Sequence, residues 1–177
     1  LHGKEREVYA HHCFRDVHGV VAEQWSIKVS VSGYGRPWIA SAVEAHLISG
    51  LLQLVHESRC RIRSIQPYCM AVANRLRRSR DNANWILLVT EGERSCILTI
   101  RQNGWQSVAM RDVALDQTRL VSEVVNREAL LAGFSEDVPI FVWGLEPAAD
   151  LPNSSNIEYL PRSVPAELAG KHFEMPL

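Results

Sequence analysis

The chain has 177 residues, of which 46% are hydrophobic and 22% are charged, and its formal net charge is -1. This size and composition predict a globular protein with one ordinary domain or two small ones. The near-zero charge excludes a global attraction to nucleic acid or anionic lipid, so either partner would need a local patch. The longest apolar run, Trp85 to Val89, has the length of a strand. No membrane insertion is therefore predicted.

Residues 1–80 predict a partial first lobe that contains a helix, a hairpin, a second helix, a strand and a third helix. Apolar and polar residues alternate from Trp25 to Val31, and a second short strand follows at Trp38 to Ala40. The segment Gly33-Tyr34-Gly35 between them has the composition of a turn. This block therefore predicts an antiparallel hairpin.

The second helix of this lobe is predicted to start at Ser41. Ser41 and Glu44 have the spacing of a capping box, in which each side chain bonds a free backbone amide of the other residue. The helix is expected to end near His56 and to bury one apolar stripe, which consists of Leu47, Leu51, Leu54 and Val55.

A third strand is predicted at Arg61 to Ile65, and Pro67 then marks the start of the third helix. The inward face of that helix is predicted from its apolar spacing to comprise Cys69, Val72, Ala73 and Leu76.

Residues 81–160 predict a second lobe that opens with three consecutive strands. These strands are Asn84–Thr90, Cys96–Gln102 and Trp105–Val113, with tight turns at Glu91-Gly92 and Asn103-Gly104. Asn-Gly between alternating apolar runs is typical of a type I′ turn, in which both central residues have φ > 0. We therefore expect Gly104 to adopt the left-handed conformation.

One helix and two short strands are predicted after these three strands. Asp116 is a suitable N-cap and Gly133 a suitable end for the helix. Its buried face is predicted to be Leu120, Val121, Val124, Val125 and Leu131. Strands are predicted at Pro139–Trp143 and Ile157–Leu160, and residues 161–177 as an extended tail. This β-β-β-α-β order predicts an α/β protein of the ribonuclease-H-like or actin-like type, with two small lobes that each hold a mixed sheet and helices.

Four cysteines, at positions 13, 60, 69 and 96, lie far apart without a C-x-x-C pair. They favour reduced, mostly buried thiols of a cytoplasmic protein over disulfides or a metal site. The sequence shows no signal peptide and starts at Leu1. We interpret it as a cytoplasmic protein and as a piece of a longer chain.

The densest set of soft metal ligands is His11, His12 and Cys13, with His18 two helical turns away from His11. A metal site usually combines ligands at i, i+3 or i+4 with a carboxylate, which this set lacks. We therefore predict no metal site here. His46 and His56 are interpreted as solvated positions of the second helix.

Two basic runs could contact nucleic acid: Arg59, Arg61 and Arg63, and then Arg75, Arg77, Arg78 and Arg80. Binding of single strands would require aromatic residues among these arginines, and only Tyr68 lies between the two runs. Alternate arginines more often mark a solvated strand edge, and a basic helix end complements the helix dipole. Nucleic acid is therefore disfavoured as a partner.

Enzymatic activity also lacks support in the sequence. A ribonuclease-H-type enzyme holds two magnesium ions on carboxylates of its first strand, and Trp85 to Val89 offers none. Asp112 and Asp116 flank the next helix, where a carboxylate has a structural explanation. The chain has no phosphate-binding glycine loop and no G-x-S-x-G motif. No catalytic residue is predicted.

Four segments of the chain have the pattern of a known family: Arg61 to Asn74, the apolar strand ending at Val89, the turn from Thr90 to Cys96 and the Asn103-Gly104-Trp105 hairpin. On these segments the chain resembles, from Trp25 to Gly144, the actin-like cytoplasmic proteins of type IV pilus assembly and type II secretion, the PilM/GspL-like proteins. It implies an actin-like ATPase-domain fold.

The resemblance also implies a degenerate phosphate turn. In nucleotide-binding members this turn resembles Asp-x-Gly-x-x-x-Thr, in which the acidic residue faces the magnesium shell. Here Thr90 stands in the acidic place, Gly92 keeps the glycine, and Cys96 replaces the final threonine. The glycine alone is also explained as a turn residue. We therefore expect these three residues to form an inactive cofactor site, with no cofactor bound.

Taken with the resemblance, these observations predict a non-catalytic cytoplasmic scaffold whose partner is a protein, such as a cytoplasmic segment of an inner-membrane protein. Arg59, Arg61 and Arg63 are the predicted partner-binding residues, because a basic edge would steer an acidic peptide. The chain would then lie at the inner membrane through its partner. The alternatives are an actin-like ATPase that binds ATP with magnesium and, further away, a nucleic-acid-binding module.

Overall fold

The computed structural model describes residues 3–31, 35–58, 61–62, 64–79, 83–112, 118–135, 137–145 and 156–160. The chain divides into two compact units, one formed by residues 1–78 and 104–106 and the other by residues 79–103 and 107–177. In chain order the elements are α1 (Gly3–His18), a 3₁₀ segment (Gly19–Gln24), β1 (Trp25–Ser30), β2 (Ile39–Glu44), α2 (Ala45–Ser58), α3 (Tyr68–Ser79), β3 (Trp85–Glu91), β4 (Arg94–Arg101), β5 (Gly104–Asp112), α4 (Thr118–Leu131), β6 (Ile140–Trp143) and β7 (Ile157–Leu160).

The hairpin predicted in the first unit is confirmed. β1 and β2 pair antiparallel, from Trp25 opposite Glu44 to Ser30 opposite Ile39. The sheet of this unit is thus an antiparallel pair among the described strands, not the mixed sheet predicted for this lobe. Gly35 has φ +73, as expected near a turn. The predicted turn residues Gly33 and Tyr34 lie outside the described residues.

The capping box predicted at Ser41 and Glu44 is wrong. Both residues belong to β2, where Ser41 faces Lys28 and Glu44 faces Trp25, and α2 begins at Ala45. Pairing along all six residues of β1 explains the difference. A helix starting at Ser41 would leave the backbone of the first half of β1 without these ladder hydrogen bonds.

The predicted buried stripe of α2 is also wrong, because no residue of this helix is buried. Ile48 and Val55 are half-buried, whereas Leu47, Leu51 and Leu54 are 50%, 38% and 62% exposed. The helix contacts β1 and β2. The two-stranded sheet is too narrow to cover the broad apolar face of α2, and leucines of this helix therefore remain exposed.

The strand predicted at Arg61 to Ile65 is not observed in the described part of this segment. Residues 61–62 and 64–67 lie in an irregular connection in which Ile62 and Ile65 are exposed. Alternation alone does not make a strand without a partner to pair with. The next helix is confirmed: the Pro67 carbonyl accepts the N–H groups of Met70 and Ala71, both at 3.0 Å.

The inward face predicted for α3 largely holds. Val72, Ala73 and Leu76 are buried, and Cys69 is half-buried. Met70, at 8% exposure, adds to this face.

The second unit contains a five-stranded sheet in the order β5-β4-β3-β6-β7. β3 pairs antiparallel with β4 and parallel with β6, and β6 pairs parallel with β7. The predicted strands are thus confirmed, with ends shifted by one or two residues. A mixed sheet with β3 at its centre is the framework of this unit.

Both faces of the central strands are buried. On one face α4 covers a core made of Ile86, Leu88, Ile97, Val125, Ala129, Val138, Ile140 and Val142. On the other face Trp85 and Phe141 meet edge to face, with ring centroids 5.9 Å apart. A strand that is buried on both faces has a continuous run of apolar residues, which explains the sequence from Trp85 to Val89.

Helix α4 ends at a Schellman motif, as the glycine at position 133 predicts. Gly133 has φ +69, its N–H donates to the Leu130 carbonyl, and the Phe134 N–H donates to the Ala129 carbonyl. The predicted face is partly right, since Val125 is buried and Val124 half-buried. The prediction that Leu131 is buried is wrong, because Leu131 is exposed and the last turn buries Ala129 and Ala132 instead. Asp116 and the side chains of Leu120 and Val121 lie outside the described residues.

The turn between β4 and β5 differs from the prediction by one residue. The residues with φ > 0 are Gln102 (φ 50) and Asn103 (φ 60), and Gly104 is the first residue of β5. Two hydrogen bonds from the preceding loop hold this position: Asn84 Oδ1 accepts the Gln102 N–H at 2.9 Å, and the Ala83 carbonyl accepts the Asn103 N–H at 2.8 Å. These non-local bonds override the Asn-Gly preference.

Three of the cysteines are described, and none of these three is in a disulfide. Cys13 is exposed, Cys69 is half-buried and Cys96 is buried, so burial is less complete than predicted. Cys60 lies outside the described residues. Across the described ranges, no helix is both long enough and apolar enough to cross a bilayer.

Candidate functional site

The predicted phosphate turn lies at the end of the central strand β3. Thr90 is buried there and faces Ser95 of β4 in the strand register. The two hydroxyl groups are 3.0 Å apart and form a buried hydrogen bond. The position that resembles an acidic one therefore carries a hydroxyl that is already satisfied by a neighbouring hydroxyl.

The connection from β3 to β4 is the two-residue loop Gly92-Glu93, one residue later than the predicted turn. Gly92 has φ +59, and Glu93 is not among the residues with positive φ. Glycine at the first central position with φ > 0 is the pattern of a type II′ turn, which suits the twist of a hairpin. Gly92 thus has a complete structural explanation.

Cys96 lies on the other face of the hairpin from Thr90. It faces Val89 in the register, and successive residues of a strand point to opposite faces. The structure therefore places Thr90 beside Ser95 and separates both from the Cys96 side chain. Ser95 was missed in the sequence because a turn at Glu91-Gly92 puts position 90 opposite position 93.

Gly144 is the second residue that sequence reasoning missed. It follows β6, which runs parallel to β3 with Trp143 opposite Val89. Its φ is +93, and a Cβ atom at this position would lie 2.3 Å from the Thr90 carbonyl oxygen. The backbones of Gly144 and Thr90 therefore lie in close contact where the carboxyl ends of β3 and β6 meet. A glycine after a short apolar strand was the available signal.

The charged groups at this edge sit on the exposed hairpin. Glu91 and Arg94 are the last and first residues of the paired strands and face each other, with Glu93 between them. All three are exposed. A carboxylate is therefore present near the turn, but on the solvent side and not at the buried Thr90 position.

Of the predicted partner-binding residues, Arg61 is exposed, and Arg59 and Arg63 lie outside the described residues. The second basic run belongs in part to α3. There the Arg77 guanidinium lies over the Trp105 ring at 5.9 Å from its centroid. Trp105 is buried, so Arg77 has a packing role that the sequence did not reveal.

The histidine-rich segment forms part of α1, where His11, His12 and Cys13 are all exposed. His18 packs against Trp25, with ring centroids 5.0 Å apart. A hydrogen bond with Cys13 raises the pKa of the Tyr9 hydroxyl. Among the described residues no three potential ligands converge on a metal position.

A polar groove of about 460 Å³ lies at the opposite end of the second unit's sheet. Its lining includes Asn84, Arg101, Ser135 and Asp137, together with the Gly133 turn. The groove offers one cation and one carboxylate, which define no single ligand class.

No family model and no curated protein matches the sequence. Several solved structures are similar to it. One is a crystal structure of a Bacteroides thetaiotaomicron protein described as having an actin-like ATPase fold and unknown function, with 12% identity and a TM-score of 0.54 over 85% of this chain and 55% of that chain.

Another is the cytoplasmic domain of EpsL, an inner membrane component of the type II secretion system of Vibrio cholerae. It is 12% identical, with a TM-score of 0.56 over 93% of this chain and 62% of that chain. The chain thus spans between 55% and 62% of the length of the two structures. At this identity the likeness concerns the fold alone, and the chain has the actin-like ATPase fold that the resemblance implies.

Proposed function

We propose that this chain is a non-catalytic interaction protein built on an actin-like fold, acting in the assembly of a type IV pilus or a type II secretion platform. In this proposal it lies in the cytoplasm and reaches the inner membrane through a protein partner. Its fold likeness to the cytoplasmic domain of EpsL supports the assignment to such a platform.

The observation that carries the proposal is the state of Thr90. The nucleotide-binding proteins that the chain resembles have an acidic residue at this position, and magnesium is commonly bound by carboxylate oxygens. Thr90 supplies a neutral hydroxyl, buried and hydrogen-bonded to Ser95 at 3.0 Å. The backbone of Gly144 occupies the space on the carbonyl side of the same residue. These contacts favour Thr90, Gly92 and Cys96 as an inactive remnant over a cofactor site.

An actin-like ATPase is the second candidate. Its support is the placement of two glycines, Gly92 and Gly144, where parallel strands β3 and β6 end. In open α/β sheets ligands commonly bind outside the carboxyl ends of the strands. The two candidates differ in whether ATP with magnesium binds.

Thermal unfolding with and without nucleotide tests the proposal. A ligand that binds only the native state at a hundredfold excess over Kd adds about 2.7 kcal/mol of stability, which a melting curve detects easily. We expect millimolar ATP with magnesium to leave the melting temperature where magnesium alone leaves it. An upward shift that needs both, together with ATP hydrolysis by the purified chain, would favour the second candidate.

A capture experiment from native lysate tests the partner side of the proposal. The intact chain is compared with a variant in which Arg59, Arg61 and Arg63 are replaced by serine. We expect the parent to retain a protein partner, and the variant to lose it at elevated salt first, because surface charges act mainly on association. Failure to retain any protein partner would contradict the interaction role.

A further inference from the structure

Helix α2 exposes a row of apolar side chains that no described element of the first unit covers. Leu47, Leu51 and Leu54 lie at i, i+4 and i+7, so their side chains form one ridge along the helix. The exposed fractions of 50%, 38% and 62% leave this ridge open to solvent. We call these three leucines the α2 ridge.

The charge of the surrounding unit is strongly positive. Residues 1–78 contain 11 Lys and Arg against 6 Asp and Glu, whereas residues 79–177 contain 8 against 14. Two of the acidic residues of the first segment pair with cations: Glu7 with Lys28 at 3.1 Å and Glu23 with Arg15 at 3.3 Å. The excess of positive charge in this segment favours an acidic partner over a basic one.

Three of these cations follow α2 directly in the sequence. Arg59, Arg61 and Arg63 follow the last residue of α2, and Arg61 is exposed. Glu57, the carboxylate on the last turn of α2, accepts a hydrogen bond from Gln53 on the polar side of the helix at 2.9 Å. An approaching segment would thus meet leucines along α2 and the exposed Arg61 shortly after the helix ends.

We propose that the α2 ridge docks an acidic amphipathic helix of a partner protein. Leucine-type side chains of that helix would pack between Leu47, Leu51 and Leu54, and its carboxylates would face Arg61. Helix-in-groove recognition uses such anchors at i, i+3 or i+4 and i+7, and complementary charge sets orientation and association rate. This inference rests on the proposed interaction role and names the surface and the chemistry of its partner.

The test is fluorescence anisotropy of the intact chain with a labelled synthetic peptide of about 18 residues, or about five helical turns. The peptide carries leucines at helical spacing and glutamates elsewhere. Two control peptides have the same leucines with lysine in place of glutamate, and the same composition with the leucines spread around the helix. We expect the acidic amphipathic peptide alone to bind, and its binding to weaken as salt rises.

Variants of the chain locate the site. Leu47→Ser/Leu54→Ser should weaken binding by about tenfold or more, because it removes central apolar anchors. Arg61→Glu should also weaken it, with a smaller salt dependence. The matched control is Leu130→Ser/Leu131→Ser on α4, where the two leucines are 71% and 70% exposed. This control should bind like the parent. Far-UV circular dichroism verifies that all variants fold.

Three outcomes would overturn the inference. The lysine peptide could bind as well as the acidic one, the α4 variant could lose as much affinity as the ridge variant, or the parent could be a dimer that the ridge substitutions convert to a monomer. The last result would assign the ridge to a second copy of the chain. Melting of the same samples with ATP and magnesium separates this inference from the proposed interaction role. If the peptide does not bind and ATP with magnesium leaves the melting temperature unchanged, only the partner chemistry is refuted. If ATP with magnesium raises the melting temperature, the interaction role is refuted.

Discussion

The carbonyl oxygen of Thr90 lies 2.3 Å from the position that a Cβ atom would occupy at Gly144. Gly144→Ala must therefore shift the ends of β3 or β6, and it also places alanine at φ +93. Strain at such a φ alone costs on the order of 1 to 3 kcal/mol. We expect a loss of about 3 kcal/mol or more in the free energy of unfolding, measured by urea denaturation.

The matched control for this substitution is Gly50→Ala. Gly50 lies inside α2, and a Cβ atom there would have no neighbour within 4 Å. Alanine is favoured over glycine in a helix by about 0.8 to 1 kcal/mol, so this variant should unfold at a higher urea concentration than the parent. Equal unfolding midpoints for the two alanine variants would contradict the close approach at Gly144.

The β4–β5 turn gives a second prediction. Asn103 has φ 60, a conformation that costs a β-branched residue on the order of 1 to 3 kcal/mol and costs glycine nothing. Asn103→Val should therefore lower the urea midpoint. Asn103→Gly should leave it equal or slightly higher, which separates backbone strain from loss of the amide side chain. A valine variant as stable as the glycine variant would show that the turn lies elsewhere.

Much of the fold of the second unit could be predicted from local pattern. The run from Trp85 to Val89 and the glycine at 133 each have one physical interpretation, a doubly buried strand and a helix end, and both are observed. The Gln102-Asn103 turn could not be predicted, because hydrogen bonds from Ala83 and Asn84 place it. Where local preference was nearly balanced, hydrogen bonds between residues distant in the sequence decided the position of the turn.

In the first unit, local sequence patterns predicted the structure less well. Ser41 and Glu44 satisfy a capping box by spacing, yet the length of β1 keeps them in a strand. The leucines of α2 have the period of a buried face, but a hydrophobic period reports what a helix is able to bury and not what covers it. In the candidate site, Gly92 could be anticipated, whereas Ser95 and Gly144 depend on strand register and on the parallel pairing of β6.

A third prediction concerns the ion pair of Arg111 on β5 and Glu128 on α4. The Glu128 side chain is 7% exposed and the Arg111 side chain 42% exposed, so loss of the arginine leaves a buried carboxylate unpaired. Breaking a buried pair costs about 3 to 5 kcal/mol, and the partial exposure of Arg111 favours the lower end. We expect Arg111→Met to lose about 3 kcal/mol in chemical denaturation.

The control for this pair is the double variant Arg111→Met/Glu128→Leu. It removes the unpaired charge together with its partner, and apolar replacement of a buried pair is often close to neutral. The double variant should therefore be more stable than Arg111→Met alone. Additive losses from the two substitutions would mean that the two side chains are not coupled.

The last prediction restores the acidic residue that the resembled nucleotide-binding proteins have at position 90. Thr90→Asp puts a carboxylate where Thr90 is buried and where its hydroxyl bonds Ser95. One hydroxyl hydrogen bond does not compensate for the desolvation of a charge, so we expect a loss of a few kcal/mol in stability. Thr90→Ser, which keeps the hydroxyl, is the control and should lose far less. The proposed site is inactive if the backbone of Gly144 fills the space beside residue 90. In that case ATP with magnesium should raise the melting temperature of Thr90→Asp no more than that of the parent. A large magnesium-dependent shift by ATP in Thr90→Asp alone would show that the turn keeps the geometry of a nucleotide site and lacks only the carboxylate.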